Sequence, residues 1–518
     1  MRRNWWTLVA VVVAVSMLLF DVTIVNVALP SIQRTFHASL PDLQWAIDAY
    51  ALTLAALLLT AGALADLWGR RIMFAAGITV FTIGSLLCGL ATGPLDLALS
   101  RAGQGIGGAI MFSTSFALIS DAFRGKQRGV AFGILGAVTG VAVAIGPILG
   151  GVITSALSWR WIFLVNVPVG VAAFGVTLTK VRESRDRRAA RPDWLGFVSF
   201  SGGLAALVYG LISADSGWGS VRVIASLAAA VVLLAAFVPI EMMQRRPMLD
   251  LSLFRVPTFI GGLVAAFAIS ASLFSLFTYI ILYLQADLGL DAFGAGLRIL
   301  FLTVASFVIA GAAGRLTTVV PVRLMISAGF VLTGIGLLLM DGISPASGWT
   351  HLTAGLIVSG AGSGLVNVPL AATAVNVVTP DRAGMASGIN LTLRQVGTAT
   401  GIAALGAVFT ARFGTTINGA LSATPLAPHA HAVATGLTTG SFSASQPGVT
   451  ATARHTITQA VHTGFANGLN LILLIGAITA FMAAVTSLVL IRDRDFVTPP
   501  TGAAGEHSEQ AVTEPVAS

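Results

Sequence analysis

The sequence predicts an all-α membrane protein, with fourteen spanning helices arranged as two six-helix pseudo-symmetric bundles plus two inserted central helices. Three observations carry this reading. Of 518 residues, 56% are hydrophobic and 10% charged, where soluble domains carry about 25% charged residues; so little polar surface cannot clothe a water-soluble globule. Fourteen mostly apolar stretches follow one another along the chain, each near the roughly 20 residues that cross a bilayer as a helix. A glycine pattern also recurs at one fixed offset between the two halves.

Residues 8–29 follow Arg2 and Arg3 and are long enough to span; no small-residue cleavage site succeeds them, so they read as an uncleaved first helix. Spans at 43–65, 72–91, 97–122, 129–157 and 161–179 complete a first bundle over residues 1–179. A basic linker at 180–193 and two spans, 194–213 and 221–241, form an insert within 180–258. The second bundle, over 259–491, takes spans at 259–284, 293–316, 324–340, 352–378, 384–411 and 469–491. Residues 412–468 are rich in Ala, Thr, Gly and Ser and lack spanning character, so an external loop is expected there, either a cap or a flexible connection. The tail 492–518 is expected to be disordered and cytoplasmic.

Basic residues orient the spans. Twenty-one Lys and Arg fall in the two tails and one set of loops, against six in the opposite set. Such an excess marks the cytoplasmic side. The expectation is a multi-pass protein of the inner (cytoplasmic) membrane with both termini inside. The net charge of +8 is spent on this orientation rather than on nucleic acid. Cys88 is the only cysteine and sits in an apolar run, where it reads as a packing residue that forms no disulfide.

A shift of 255 residues places Gly105, Gly107, Gly129, Gly133, Gly146 and Gly151 on Gly360, Gly362, Gly384, Gly388, Gly401 and Gly406, without a gap. Repeated bundles with substrate bound near the midplane between them are an architecture of secondary transporters. The pair of spans at 194–241 has no partner under this shift and therefore lies between the repeats.

Four motifs sit on these spans. Asp21, Asn26 and Pro30 end the first. Gly62, Asp66, Gly69, Arg70 and Arg71 end the second and open a cytoplasmic turn. Arg101, Gln104, Gly105, Gly107 and Gly108 lie on the fourth, and Gly146, Pro147, Gly150 and Gly151 on the fifth. In order and on these spans, the set resembles the signature motifs of the major facilitator superfamily, and within it the fourteen-span drug:proton antiporters. The resemblance runs from about residue 8 to residue 491 and is weakest in the external segment. Trp159, Arg160, Asn166 and Pro168 match the family's opening of the sixth span; Leu67 stands where relatives carry Arg or Lys, leaving Arg70 and Arg71 as the cations of the turn.

The resemblance implies an exporter, because the Gly146-Pro147 and Gly150-Gly151 element goes with export in this superfamily. It also implies proton-linked acids in the first two helices, where Asp21 and Asp48 lie. Ionisable groups inside a membrane are costly and mark function; Asp21, Asp48, Arg101 and Arg394 are the ones within the spans, while every histidine maps to a loop or the tail. Arg101 and Gln104 are placed to hold the first helix and tune an aspartate there. Gly62, Asp66, Gly69, Arg70, Arg71, Gln104, Gly105, Gly146, Pro147, Gly150 and Gly151 are read as conformational motifs. Asn26, Asn390, Arg394, Gln395, Phe274 and Phe277 are read as lining of a substrate cavity. Phe267, Tyr279 and Phe301 are further aromatic candidates.

The expected function is export of small lipophilic drugs or antibiotics by proton antiport; the alternative is a same-fold exporter dedicated to one endogenous metabolite or lipid precursor. No Gly-x-x-x-x-Gly-Lys loop, nucleophile elbow or His-Glu-x-x-His occurs, so neither an enzyme nor a nucleotide-driven pump is expected. The expected partners are the substrate, protons and lipid, in a monomer without cofactor or metal; His429 and His431 read as solvated loop residues.

Overall fold

Inside hydrocarbon a backbone has no water to bond, so an apolar chain satisfies its peptide groups within each segment by forming helices. The computed structural model describes residues 2–123, 126–184, 193–244, 251–317, 319–375, 377–378, 383–438 and 450–496, and among these there is no strand. The first bundle comprises α1 (Arg2–Phe36), α2 (Leu40–Trp68), α3 (Arg70–Leu90), α4 (Pro94–Ala122), α5 (Lys126–Ala156) and a sixth span built from α6 (Trp161–Leu164) and α7 (Asn166–Lys180). The insert is α8 (Trp194–Ile212) and α9 (Val221–Met243). The second bundle begins with a span made of α10 (Pro257–Ile269), a π-turn (Ser270–Phe274), α11 (Ser275–Leu282) and a second π-turn (Tyr283–Asp287). It continues through α12 (Ala292–Leu316), α13 (Val322–Met340), α14 (Thr350–Val375), α15 (Ala383–Ser422), a short α16 (Ala430–Thr438) and α17 (Ala451–Leu490).

Twelve helical segments among the described residues are long and apolar enough to cross a membrane. The other two expected spans lie on α2 and α5, apolar helices of 29 and 31 residues. Local sequence sets the helix starts. Ser39 and Asp42 form a reciprocal capping box at α2, satisfying donors that a helix N-terminus leaves open. Asp193, Ser220 and Thr450 cap α8, α9 and α17 in the same sense. Proline opens α4 and α10, where its missing N–H costs nothing.

The glycine repeat has a structural meaning. A Cβ at Gly105 would press on the Tyr50 carbonyl of α2, and one at Gly360 on Leu302 of α12. Gly107 faces Gly77 and Phe81 of α3, as Gly362 faces Gly329 and Thr333 of α13. Gly146 meets Thr23 of α1, and Gly401 meets Ala271 and Ser275 of the ninth span. Gly151 meets Ala292 and Phe293 of α12, and Gly406 meets Gln44 of α2. Each pair contacts helices that are equivalent under the repeat. The first three pairs are tight crossings inside a bundle, where small residues let backbones approach. The last pair lies between the bundles, at the α5–α12 and α2–α15 seams.

The inserted hairpin packs on one of those seams. Val208 and Ile212 of α8 bury against Ala51 of α2 and against Ala399 and Ala403 of α15, and Leu204 against Ala55 and Val396. Its partner α9 lies further out and buries only Val223, Ala230, Phe237 and Glu241.

The segment at 412–468 departs from a loop. α15 and α17 are each 40 residues long, about 60 Å at 1.5 Å per residue, twice the roughly 30 Å of hydrocarbon. The end of α15, the start of α17 and α16 enclose a small apolar core of Ile417, Leu421, Ala430, Val433, Ala434, Ile457 and Ala460. Outside the hydrocarbon a helix needs no continuous apolar run, only a stripe. Residues 439–449 and the tail beyond 496 lie outside the described residues.

Candidate functional site

The buried charges of the first bundle form one network. Asp21 of α1 is ion-paired with Arg101 of α4 through Oδ2 and Nη1, both side chains being fully enclosed. Gln104, one turn along α4, donates to the other Asp21 oxygen at 2.8 Å and to the Ser85 hydroxyl at 2.7 Å. Arg101 also donates from Nη1 to Gln104 Oε1 at 2.7 Å and from Nε to the Ala46 carbonyl of α2 at 2.9 Å. Its guanidinium lies 4.2 Å from the centre of the Tyr50 ring. Arg101 thus ties α1, α2 and α4 together, with its charge matched by Asp21.

Asp48 is the opposite case. It is 0% exposed on α2, and neither carboxyl oxygen has a hydrogen-bond partner. One turn outward, Gln44 donates at 3.0 Å to the hydroxyl of Tyr279 in the second bundle. Tyr279 in turn donates at 2.9 Å to the Ile402 carbonyl of α15. An unpaired carboxylate and a bundle-to-bundle contact therefore share one helix face.

That contact belongs to a seal. Thr278 donates to Asn26 Oδ1 at 3.2 Å, and Gln285 to the Val27 carbonyl at 2.7 Å. Ser155 donates to Asp291 at 3.3 Å and accepts from the Phe293 amide at 3.2 Å. With Gly151 against α12 and Gly296 against Pro147, the inter-bundle hydrogen bonds among the described residues gather at the end where α1 and α5 finish. In the orientation the arginines predict, that is the outer side. Asn26, expected in the cavity lining, takes part in this seal.

At the opposite end, Gly69 turns the chain from α2 into α3 with φ of 110°, a backbone conformation that favours glycine. The Glu183 carboxylate sits against this turn and accepts from the amides of Arg71 at 3.0 Å and Ile72 at 3.3 Å. Arg71 Nε lies 3.7 Å from the same carboxylate, and the Arg70 amide donates to the Ser184 carbonyl at 2.9 Å. Glu183 was not among the expected site residues; the available signal was an acid near the start of an Arg-rich linker. The surroundings of the Asp66 side chain lie outside the description. Gly62 is loosely packed, its nearest neighbour being Ser113, while Gly146, Pro147, Gly150 and Gly151 are buried.

In the second bundle Arg394 donates to Asn367 Oδ1 of α14 at 2.8 Å and lies 5.9 Å from the centre of the Phe274 ring. Phe274 closes the first π-turn, a feature that often marks functional positions in helices. Gln395 is partly exposed beside Arg394. Asn390 and Phe277 are buried, Asn390 reaching toward the Gly262 carbonyl at 3.5 Å. The structure thus joins Phe274 to Arg394 and sets Asn390 and Phe277 into the packing. Histidines are not confined to loops and the tail: His455 and His462 lie on the outer extension of α17, and His462 Nδ1 is 2.6 Å from Asp287 Oδ1.

A repeated helical bundle closed at one end around buried charges defines a membrane transporter. The chain belongs to the Major Facilitator Superfamily, whose family model matches residues 11–402. It is 36% identical over 418 residues to the Multidrug resistance protein Stp of Mycobacterium tuberculosis, covering 80% of this chain and 78% of that one. It is 32% identical over 491 residues to the Tetracenomycin C resistance and export protein of Streptomyces glaucescens, covering 94% and 91%. The Puromycin resistance protein pur8 of Streptomyces alboniger is 36% identical over 415 residues, covering 79% and 82%. Among solved structures, a bacterial homolog to the human lysosomal transporter Spinster, inward-facing and occupied, shares the fold. That match has a TM-score of 0.64 at 17% identity, covering 96% of this chain and all of that one.

Proposed function

We propose that this protein exports small lipophilic molecules, drugs or antibiotics among them, in exchange for protons. Relatives matched over most of their length are resistance and export proteins, which supports the substrate class and the direction. The observation that carries proton coupling is the contrast between two buried carboxylates of one bundle. Asp21 has a guanidinium and an amide on it, and Asp48 has nothing. A buried charge without a partner is costly, so Asp48 is the residue that holds a proton while the outer seal is closed. Asp21, Arg101 and Gln104 form the partner state, in which the charge is kept and matched.

The cycle follows. With the outer end open, Asp48 takes a proton from outside and substrate leaves. Closure packs Gln44 on Tyr279 and shuts the protonated carboxyl away from water. On the inner side, incoming substrate and the rearranging turn at Gly69, Arg70 and Arg71 free the proton. One proton moving through about 180 mV releases about 4 kcal/mol, enough for roughly a thousand-fold substrate gradient.

Everted vesicles energised by respiration and carrying this protein should acidify, then lose part of that gradient when a lipophilic dye is added. Absence of dye-dependent proton release, with the protein shown to be present, rules out antiport.

A further inference from the structure

Charge is unevenly distributed between the two facing walls. In the first bundle, Asp21 and Arg101 neutralise one another out of contact with solvent, and Asp48 is completely enclosed. In the second, Arg394 is partly exposed in the first third of α15, inside the expected span at 384–411, held by the neutral Asn367, and among the described residues no carboxylate lies within ion-pair distance of it. Asn367 and Gln395 are partly exposed beside it. A guanidinium at this depth is expensive unless something answers its charge.

Among the described residues, the repeat-related position of the first bundle carries no such group. Phe112 is related to Asn367 by the 255-residue repeat; it is partly exposed on α4 and pairs with Phe116, ring centres 5.1 Å apart. At this position one bundle presents a pair of aromatic rings, and the other a guanidinium bonded to one amide.

On the basis of this pairing, and of the export reading above, we infer that the transported molecules are amphiphiles with an apolar, often aromatic body and one anionic group such as a carboxylate, phenolate or enolate. Arg394 receives the anion, with Asn367 fixing the planar fork of the guanidinium. Phe274 and the Phe112–Phe116 face receive the body. Cations find no open carboxylate here among the described residues and are discriminated against.

Three probes sharing one fluorophore test this: dansylglycine (anionic), its neutral amide, and dansylcadaverine (cationic). The purified full-length protein should bind dansylglycine about tenfold tighter than the amide, since a charge-assisted hydrogen bond contributes about 1.5–3 kcal/mol and 1.4 kcal/mol is tenfold. The cation should bind more weakly than either. Arg394→Gln should bring the anion to the affinity of the amide; Arg394→Lys should keep part of the preference. Equal affinity of the wild-type protein for anion and amide, or an anion preference that survives Arg394→Gln, overturns the inference. The wild-type comparison stands even if a variant fails to fold. Proton-driven uptake of the neutral amide by everted vesicles tests the export reading separately, since it does not depend on Arg394.

Discussion

Gln44 and Tyr279, 235 positions apart in the chain, meet across the bundle interface at 3.0 Å, one turn outward from the unpaired Asp48. The proposed proton site and the inter-bundle seal therefore share a helix face, and a shift in one should move the other.

Removing this hydrogen bond with Tyr279→Phe should favour the outward-open arrangement. A single hydrogen bond contributes about 1 kcal/mol, roughly a fivefold change in population. Labelling of Thr278→Cys by an impermeant maleimide, in a Cys88→Ser background, should accelerate by about that factor. Gln44→Leu should act alike, and the two changes together should add little, because both break the same inter-bundle contact; the Tyr279–Ile402 bond that Tyr279→Phe also removes lies within the second bundle.

The two aspartates should part company when neutralised. Asp21→Asn leaves the buried Arg101 without its counter-charge, a loss of about 3–5 kcal/mol in comparable sites, read as a lowered melting temperature in detergent. Asp48→Asn replaces a group that has no partner and should leave the melting temperature nearly unchanged. Both variants should lose uphill transport.

The repeat-related glycines at the seams should respond differently to enlargement. At Gly406 the obstructing neighbours are the end of Gln44 and the Tyr279 hydroxyl, so a Gly406→Ala defect should be eased by Gln44→Ala. At Gly151 the obstruction is backbone, Ala292 O and Phe293 Cα at 2.7 Å. Gly151→Ala should therefore reduce transport, and no side-chain change on α12 should restore it.

At the inner turn, Glu183→Ala should slow turnover without abolishing it. The Arg71–Glu183 pair is partly solvated and contributes below about 1 kcal/mol, and the lost helix cap about 1 kcal/mol. The Arg71 and Ile72 amides are held by different carboxylate oxygens, so Glu183→Gln keeps an acceptor for one of them and should retain more of the rate than Glu183→Ala. Transport assays at matched expression distinguish the two.

The spans were legible because crossing a bilayer demands an apolar run, and the repeat because glycine is required wherever two helices touch closely. Gly105 and Gly360 show this directly, each pressed on the equivalent neighbour. The outer cap was not legible by the same rule: Ile417, Val433 and Ile457 are too sparse to register as a span, yet suffice for a small core in water. The Asp21–Arg101–Gln104 network was readable as a set of polar groups stranded in hydrocarbon. Glu183 and Asn367 were not, since one lies in a charged linker and the other is a single amide whose partner is set by packing. Tyr279 was read for its ring, whereas its hydroxyl makes the inter-bundle contact.

The hairpin of α8 and α9 breaks the two-fold relation of the bundles. It roofs the α2–α15 seam, while the equivalent α5–α12 seam keeps Ile145, Leu149, Leu297 and Phe301 turned outward and exposed. A molecule dissolved in the lipid leaflet thus meets two unlike flanks, one shuttered by extra protein and one bare. Any sideways passage between leaflet and interior is one-handed, and a tether binding α8 to α2 would leave the bare flank as the side to watch.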